Sequence, residues 1–130
     1  GQLIPEGYTA RTVVNLQEFQ RATKSTSIFA RDGSGIIRLQ MTPAESGIGG
    51  QLLVSARAEE LGENEGTLEA AVEGEESKIA FNSKYLAEAL AVIDKTEVAL
   101  EITNSSSPGV LRPVGSDNYV HVVMPMFVQW

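Results

Sequence analysis

The chain has 130 residues, 42% of them hydrophobic and 21% charged, which predicts one globular domain over residues 1–130 with a single core. It contains no Cys and one His, so disulfides, thiolate nucleophiles, Cys-based metal sites and sites with two His ligands are excluded. No apolar run approaches the roughly 20 residues that a membrane span needs. The net charge of −7 is unlike the basic face of a dedicated nucleic-acid binder.

The negative charge is concentrated in one acidic segment, Glu59 to Glu76. It holds eight of the 17 acidic residues and no Lys or Arg, which leaves nine acidic against ten basic residues elsewhere. One interpretation is a solvated hairpin edge whose charge discourages pairing with other chains. The other is a docking surface that steers a basic partner. Taken alone, the residues favour the first interpretation.

The first half of the chain predicts a strand, a helix and three strands. A strand from Arg11 to Val14 leads to Asn15, which stands at a helix N-cap with Glu18 three residues later. Helical character is expected to fade through residues 25–27. The apolar face of this helix comprises Leu16, Phe19, Ala22 and Thr23. The strands that follow are Ile36 to Met41, Gln51 to Ala58 and Thr67 to Val72, with a loose loop from Thr42 to Gly50.

The second half repeats this order. A strand from Ser77 to Phe81 closes at Asn82, and a helix is predicted from Ser83 to about Ile93. Its apolar stripe comprises Tyr85, Leu86, Ala89, Leu90 and Ile93. Three strands finish the chain: Glu97 to Thr103, Val110 to Arg112 and Tyr119 to Met124. A shift of 67 residues places Asn15 on Asn82, so we expect an internally duplicated α+β domain with two helices on one face of antiparallel sheet.

None of the polar clusters has the spacing of a catalytic site. His121 lies in the last strand with no motif that supplies an orienting partner. The Gly-rich stretches 33–35 and 47–50 lack phosphate-loop spacing, and residues 105–108 lack a nucleophile elbow. The chain is therefore predicted not to be an enzyme and to need no cofactor or metal.

The end of the chain is rich in exposable apolar residues. Met124 to Phe127 and Trp130 offer flexible Met and aromatic side chains, which suit a groove for peptide anchors. They could equally complete the core. Pro125 favours the surface interpretation, because Pro blocks a continuing ladder and should release the chain from its sheet.

Four segments together resemble the C-terminal, third domain of the bacterial sliding clamp, the β subunit of DNA polymerase III. They are Gln2 to Pro5, Phe81 to Leu86, Ser107 to Pro113 and Tyr119 to Met126, and Val-Val-Met-Pro-Met is the most specific part. The resemblance implies the DNA-clamp fold, with residues 1–8 as the connector from a second domain. It also implies a processivity factor of the bacterial cytoplasm and nucleoid, whose two subunits join head to tail around duplex DNA.

The resemblance further implies a pocket for partner peptides of the Gln-Leu-x-Leu-Phe kind, used by polymerases, the clamp loader and repair proteins. Three departures from the family concern this pocket: Gln2 stands where Arg is common, Ser34 stands where a large apolar residue is frequent, and the tail runs on through Val128 to Trp130. Deleting Met124 to Trp130 is expected to abolish peptide binding and leave the domain folded. The implied pocket residues are Gln2, Leu3, Ser34, Asn82, Tyr85, Ser106, Pro108, Val122, Val123, Met124, Pro125, Met126 and Phe127.

Two other surfaces follow from the same resemblance. Ile28 and Phe29 match the apolar pair that meets the first domain of the second subunit, and the carboxylates implied at that joint are Glu60, Glu63 and Glu65. This match favours the docking interpretation of the acidic segment. The residues implied to face non-specifically bound duplex DNA are Arg21, Lys24 and Lys84. No membrane partner is expected.

One alternative stays open at this point. A small acidic α+β regulatory or hydrolase-associated domain without any clamp role could have the same composition, with its Met-Pro-Met end as part of the core. A peptide carrying Gln-Leu-x-Leu-Phe would distinguish the two, since only a clamp domain is expected to bind it.

Overall fold

The computed structural model describes residues 9–30, 35–45, 49–58, 62–115 and 120–128. The helices in these residues are α1 (Leu16–Ala30) and α2 (Ser83–Ala91). The strands are β1 (Ala10–Asn15), β2 (Ile36–Pro43), β3 (Gly50–Ala58), β4 (Gly62–Glu69), β5 (Ala71–Gly74), β6 (Ser77–Asn82), β7 (Glu97–Ile102), β8 (Gly109–Pro113) and β9 (His121–Val123). No helix in this described part is long and apolar enough to cross a membrane.

The strands form two antiparallel sheets, and each sheet contains strands from both halves of the chain. The five-stranded sheet has the order β5-β1-β7-β8-β9, and the four-stranded sheet has the order β4-β3-β2-β6. The first strand of each half pairs with the second strand of the other half: β1 with β7, and β6 with β2. The α+β class and the duplication are thus confirmed, as two similar halves that exchange their first strands.

Helix α1 begins where the sequence predicts and ends later. The side-chain oxygen of Asn15 accepts a hydrogen bond from the backbone N–H of Glu18 at 2.9 Å, which caps the helix. The expected fading through residues 25–27 was wrong, since the helix continues to Ala30. Thr26 is 1% exposed and extends the buried face of Phe19 and Thr23 by one turn. Tertiary packing therefore outweighs the low helix propensity of this Ser- and Thr-rich stretch.

Helix α2 is capped by Asn82, whose side-chain oxygen accepts hydrogen bonds from the N–H groups of Lys84 (3.0 Å) and Tyr85 (3.2 Å). Leu86 and Leu90 are buried as predicted, but Tyr85 is 62% exposed and does not belong to the core stripe. Each helical residue turns by about 100°, so Tyr85 points away from the direction that Leu86 and Leu90 share.

The predicted strand from Thr67 to Val72 is in fact two strands in different sheets. β4 pairs with β3, and after Ala70 the chain crosses to the other sheet, where β5 pairs with β1. The apolar alternation through Leu68 and Val72 continues across the break, because both residues face the same core from different sheets. Pairing of β2 with β3 also extends to Pro43 and Gly50, so the loop between them is shorter than predicted.

The end of the chain crosses between the sheets in the same way. β9 stops at Val123, as expected from Pro125, but the tail (residues 124–128) does not leave the sheets altogether. Pro125 pairs with Phe81 on the free edge of β6, and the N–H of Met126 donates to the carbonyl of Ala80 at 2.7 Å. The tail therefore covers the β6 edge of the four-stranded sheet, much as β5 covers the β1 edge of the five-stranded sheet.

One hydrophobic core joins both sheets and both helices. Its largest fully buried side chains include members of α1, α2 and five strands: Phe19, Ile37, Leu39, Met41, Leu52, Ile79, Phe81, Leu86, Leu90, Leu100, Ile102 and Leu111. On the opposite face of the five-stranded sheet, Glu101 bridges Arg112 at 2.8 Å and Arg11 at 3.4 Å. This ion-pair group connects β1, β7 and β8 in their observed order.

Candidate functional site

Exposed apolar side chains lie along the tail and at the start of α2. Tyr85 and Met124 are each 62% exposed, Phe127 is 78% exposed, and Met126 is exposed as well. The tail pairs with Phe81, which directly precedes the Asn82 cap of α2, and α2 also contacts β9. We name Tyr85, Met124, Met126 and Phe127 the tail patch. Such a group of apolar side chains at the surface is typical of a binding site.

The extended backbone of the tail explains why its residues differ in exposure. Pro125 is buried, whereas Met124 and Met126 on either side of it are exposed. Successive residues of an extended chain point to opposite sides, so burying Pro125 turns both Met side chains outward. The flexible thioethers are therefore presented on a backbone that is fixed to the β6 edge. Met side chains of this kind adapt to differently shaped apolar partners.

The loop between β7 and β8 supplies two of the predicted pocket residues. Ser106 is exposed, and its N–H donates to the side-chain oxygen of Asn104 at 2.9 Å, which fixes a local turn. Pro108 is half-buried and directly precedes Gly109, which pairs with Val123. The end of this loop therefore lies beside Val123, the residue that directly precedes the tail.

The other residues predicted to line the pocket differ in how deeply they are buried. Val122 is half-buried and pairs with Val110, whereas the side chain of Val123 is 6% exposed and belongs to the core. Asn82 is half-buried and acts as the α2 cap. Gln2, Leu3 and Ser34 lie outside the described residues.

The predicted subunit-contact residues lie on neighbouring elements. Ile28 is 60% exposed near the end of α1, and Glu65 is exposed on β4, the edge strand of the four-stranded sheet. Helix α1 contacts β4, so these elements share one side of the domain. Glu60 and the side chains of Phe29 and Glu63 lie outside the described part of the structure.

The three predicted DNA-facing cations are exposed on the two helices. Arg21 and Lys24 lie on the face of α1 opposite its buried residues, and Lys84 lies in the first turn of α2. The helices pack against each other, and the side-chain amide of Gln20 donates to the carbonyl of Leu90 at 2.8 Å across the contact. The three exposed cations are thus carried by two helices that pack against each other. Within the described residues, no group of three or more His, Asp or Glu side chains could hold a metal ion.

Sequence reasoning missed one contact beside the tail patch. The ring of Phe81 occupies the space where a Cβ of Gly109 would lie. In the sequence Ser-Pro-Gly, Gly109 resembles an ordinary turn glycine, and Phe81 resembles an ordinary core residue. No local signal pairs them, because they are brought together only by the meeting of the two sheets.

Comparisons with known proteins agree with this architecture. Residues 1–127 match the family model described as the DNA polymerase III beta subunit, C-terminal domain. The chain is 29% identical over 126 residues to the beta sliding clamp of Synechococcus elongatus, covering 97% of this chain and 32% of that protein. It is 30% identical over 126 residues to the beta sliding clamp of Bacillus subtilis, covering 95% of this chain and 32% of that protein.

A solved structure gives the same result for the fold. The DNA polymerase III beta subunit of Thermotoga maritima superposes with a TM-score of 0.90 at 25% identity, over 98% of this chain and 33% of that one. The chain spans about a third of the length of the relatives it matches. These matches decide against the alternative of an unrelated regulatory or hydrolase-associated domain. The chain belongs to the DNA polymerase III beta subunit family and corresponds to the C-terminal domain of that family's sliding clamps.

Proposed function

We propose that this chain is the C-terminal domain of a bacterial replication clamp that binds partner peptides on the tail patch and does no chemistry itself. The observation that carries the proposal is the exposure of Tyr85, Met124 and Phe127 around a buried Pro125. Tyr85, Met124 and Pro125 lie in two of the segments by which the sequence resembles the family, Phe81 to Leu86 and Tyr119 to Met126. The partners are DNA polymerases, the clamp loader and repair proteins that carry a clamp-binding motif, and the clamp works in the cytoplasm on nucleoid DNA.

Apolar anchors of the partner drive the binding. A Leu or Phe side chain buried on the tail patch contributes roughly 1.5–3 kcal/mol before the cost of ordering the peptide. That cost consumes much of the gain, and the chain spans about a third of its relatives, so we expect only part of a complete pocket here. The expected dissociation constant is on the order of ten to hundreds of micromolar.

The proposal is tested by fluorescence anisotropy with a labelled peptide that contains Gln-Leu-x-Leu-Phe. Met124→Ala should weaken binding roughly tenfold, the usual effect of truncating an anchor of this size. Val92→Ala is the matched control, because Val92 is also an exposed apolar residue (60%) but lies at the other end of α2. The Val92→Ala variant should bind the peptide with the same affinity as the unaltered chain.

A second peptide, with its Leu and Phe changed to Ala, measures non-specific binding. Equal affinity for the two peptides would refute the proposed site. So would an equal loss of affinity in Met124→Ala and Val92→Ala, since the effect would then be unrelated to the tail patch.

We also propose that Ile28 and Phe29, with Glu60, Glu63 and Glu65, meet the first domain of a second clamp subunit. The exposure of Ile28 and the edge position of β4 support this assignment. Such a head-to-tail contact is heterologous, so it joins two different surfaces and forms a ring when the rotation between subunits closes. The acidic residues would then attract basic groups across the joint.

A heterologous contact predicts that this chain by itself is a monomer. Light scattering at micromolar concentration should give the mass of one chain, because the complementary surface belongs to a different domain. The variant Ile28→Glu serves as the comparison and should give the same mass. A stable dimer of the unaltered chain that Ile28→Glu dissociates would show that this surface binds itself, which contradicts the assignment.

Arg21, Lys24 and Lys84 are proposed to face duplex DNA inside the ring. Three exposed cations give weak, salt-dependent phosphate contacts without sequence preference, which suits a protein that slides. The net charge of −7 opposes long-range attraction to DNA. Encirclement by the ring, rather than affinity, therefore keeps the clamp on its template.

A further inference from the structure

The two sheets meet at a close contact between Phe81 and Gly109. Phe81 lies near the end of β6 in the four-stranded sheet and is fully buried, and Gly109 begins β8 in the five-stranded sheet. A Cβ at position 109 would lie 2.6 Å from Cζ of Phe81 and 3.2 Å from its Cε1. Carbon atoms in good contact are about 3.5–4.0 Å apart, so the ring leaves no room for a side chain at position 109.

The ring, and not the backbone conformation, requires glycine at this position. The glycines of the described residues with positive φ are Gly35, Gly49, Gly50, Gly74 and Gly115, and Gly109 is not among them. Its strand conformation is open to any residue. The absence of a side chain therefore sets how closely the Phe81 ring approaches β8.

The same two residues hold the chain on both sides of Met124. Gly109 pairs with Val123, the residue before Met124, and Phe81 pairs with Pro125, the residue after it. Asn82, which follows Phe81, accepts the N–H of Tyr85. Phe81 and Gly109 therefore pair with the two residues on either side of Met124. Phe81 is also connected, through the neighbouring Asn82, to the first turn of α2, which presents Tyr85.

We infer that Phe81 and Gly109 are positioning residues for the tail patch. Their contact sets the separation between β9 and the β6 edge, and this separation sets the distance between Met124 and Tyr85. Both residues are buried, so neither is available for contact with a partner peptide. The inference rests on the proposed peptide-binding function, which it deepens.

Three variants separate positioning from simple core stability. Gly109→Ala pushes the ring away from β8. The double variant Gly109→Ala with Phe81→Leu removes the Cε and Cζ atoms that the new methyl group would meet. Gly66→Ala is the matched control, since Gly66 also lies in a strand, has no positive φ and has no neighbouring atom within 4 Å of its Cβ position.

Two measurements are made on each variant. NMR amide exchange follows the N–H of Met126, which bonds to Ala80, relative to amides of the β2–β3 ladder. Gly109→Ala should accelerate exchange at Met126 roughly tenfold more than in the ladder, because the tail opens locally. It should weaken binding of the Gln-Leu-x-Leu-Phe peptide roughly tenfold, as expected when an anchor is misplaced. The double variant should recover most of both losses, and Gly66→Ala should change neither.

Selective exchange at Met126 with rescue in the double variant supports the inference. Unchanged Met126 exchange in folded Gly109→Ala overturns it, as does acceleration spread evenly over the ladder without rescue. If Gly109→Ala does not fold, Phe81→Leu alone reports on the same contact, and unchanged Met126 exchange there is equally decisive against it. Met126 exchange could respond as expected while neither the unaltered chain nor any variant binds the peptide. The proposed peptide-binding function would then be refuted, whereas the effect of the Phe81–Gly109 contact on the tail would be supported.

Discussion

A chain that ends at Met126 should stay folded and keep its stability. A chain that ends at Val123 should have a lower free energy of unfolding and should lose its peptide binding. The longer truncation removes buried Pro125 and the hydrogen bond from Met126 to Ala80, and it uncovers the edge of β6 beside Phe81. Losing one backbone hydrogen bond and one buried apolar contact lowers the free energy of unfolding by about 2–4 kcal/mol. Peptide binding should become undetectable, since Met124 is gone.

The shorter truncation removes only residues beyond that pairing. Phe127 is 78% exposed, so its loss should change the free energy of unfolding by less than about 0.5 kcal/mol and weaken peptide binding severalfold. Urea denaturation followed by circular dichroism measures the first effect, and anisotropy measures the second. Equal stabilities of the two truncated chains would show that the tail does not support the β6 edge. The sequence-based expectation that the domain stays folded after deletion from Met124 is thus extended by an expected loss of stability.

Replacing Gly74 by Ala should destabilise the domain by about 3–5 kcal/mol, because positive φ and a backbone collision act together. Gly74 has φ +96° and pairs with Ala10 where β5 joins β1. A Cβ there would collide with the carbonyl oxygen of Thr9 and lie 3.1 Å from Cα of Ala10. These are backbone atoms, so no side-chain rotation can relieve the overlap.

Two other glycines separate the two causes. Gly35 has φ +74° but open space around its Cβ position, so Gly35→Ala should cost about 1–2 kcal/mol from conformation alone. Gly66 has neither constraint, and Gly66→Ala should be neutral or slightly stabilising. Free energies of unfolding from urea titrations should therefore rank Gly66, Gly35 and Gly74 in order of increasing loss. Equal decreases in the free energy of unfolding for Gly35→Ala and Gly74→Ala would mean that the backbone at Gly74 relaxes around the new Cβ without any loss of stability.

The sequence alone determined most of the local structure. Asn15 and Asn82 mark the two helix starts correctly, since side-chain capping needs only residues two or three positions away. Alternating and helical periods identified nearly every element, and the 67-residue echo identified the duplication. For the site, the resemblance gave the pocket residues, and they remain predictions; the structure describes the positions of all of them except Gln2, Leu3 and Ser34.

The tertiary structure alone decided how the strands of the two halves are divided between the sheets and which apolar residues face solvent. The alternation through Leu68 and Val72 is the same whether the chain stays in one sheet or crosses to another, so periodicity could not predict the break at Ala70. Likewise, Pro125 predicts the end of β9 but not its pairing with Phe81, 44 positions earlier in the chain. Backbone pairing and side-chain contact between distant segments depend on which surfaces remain free once the core has assembled, and no local pattern records that choice.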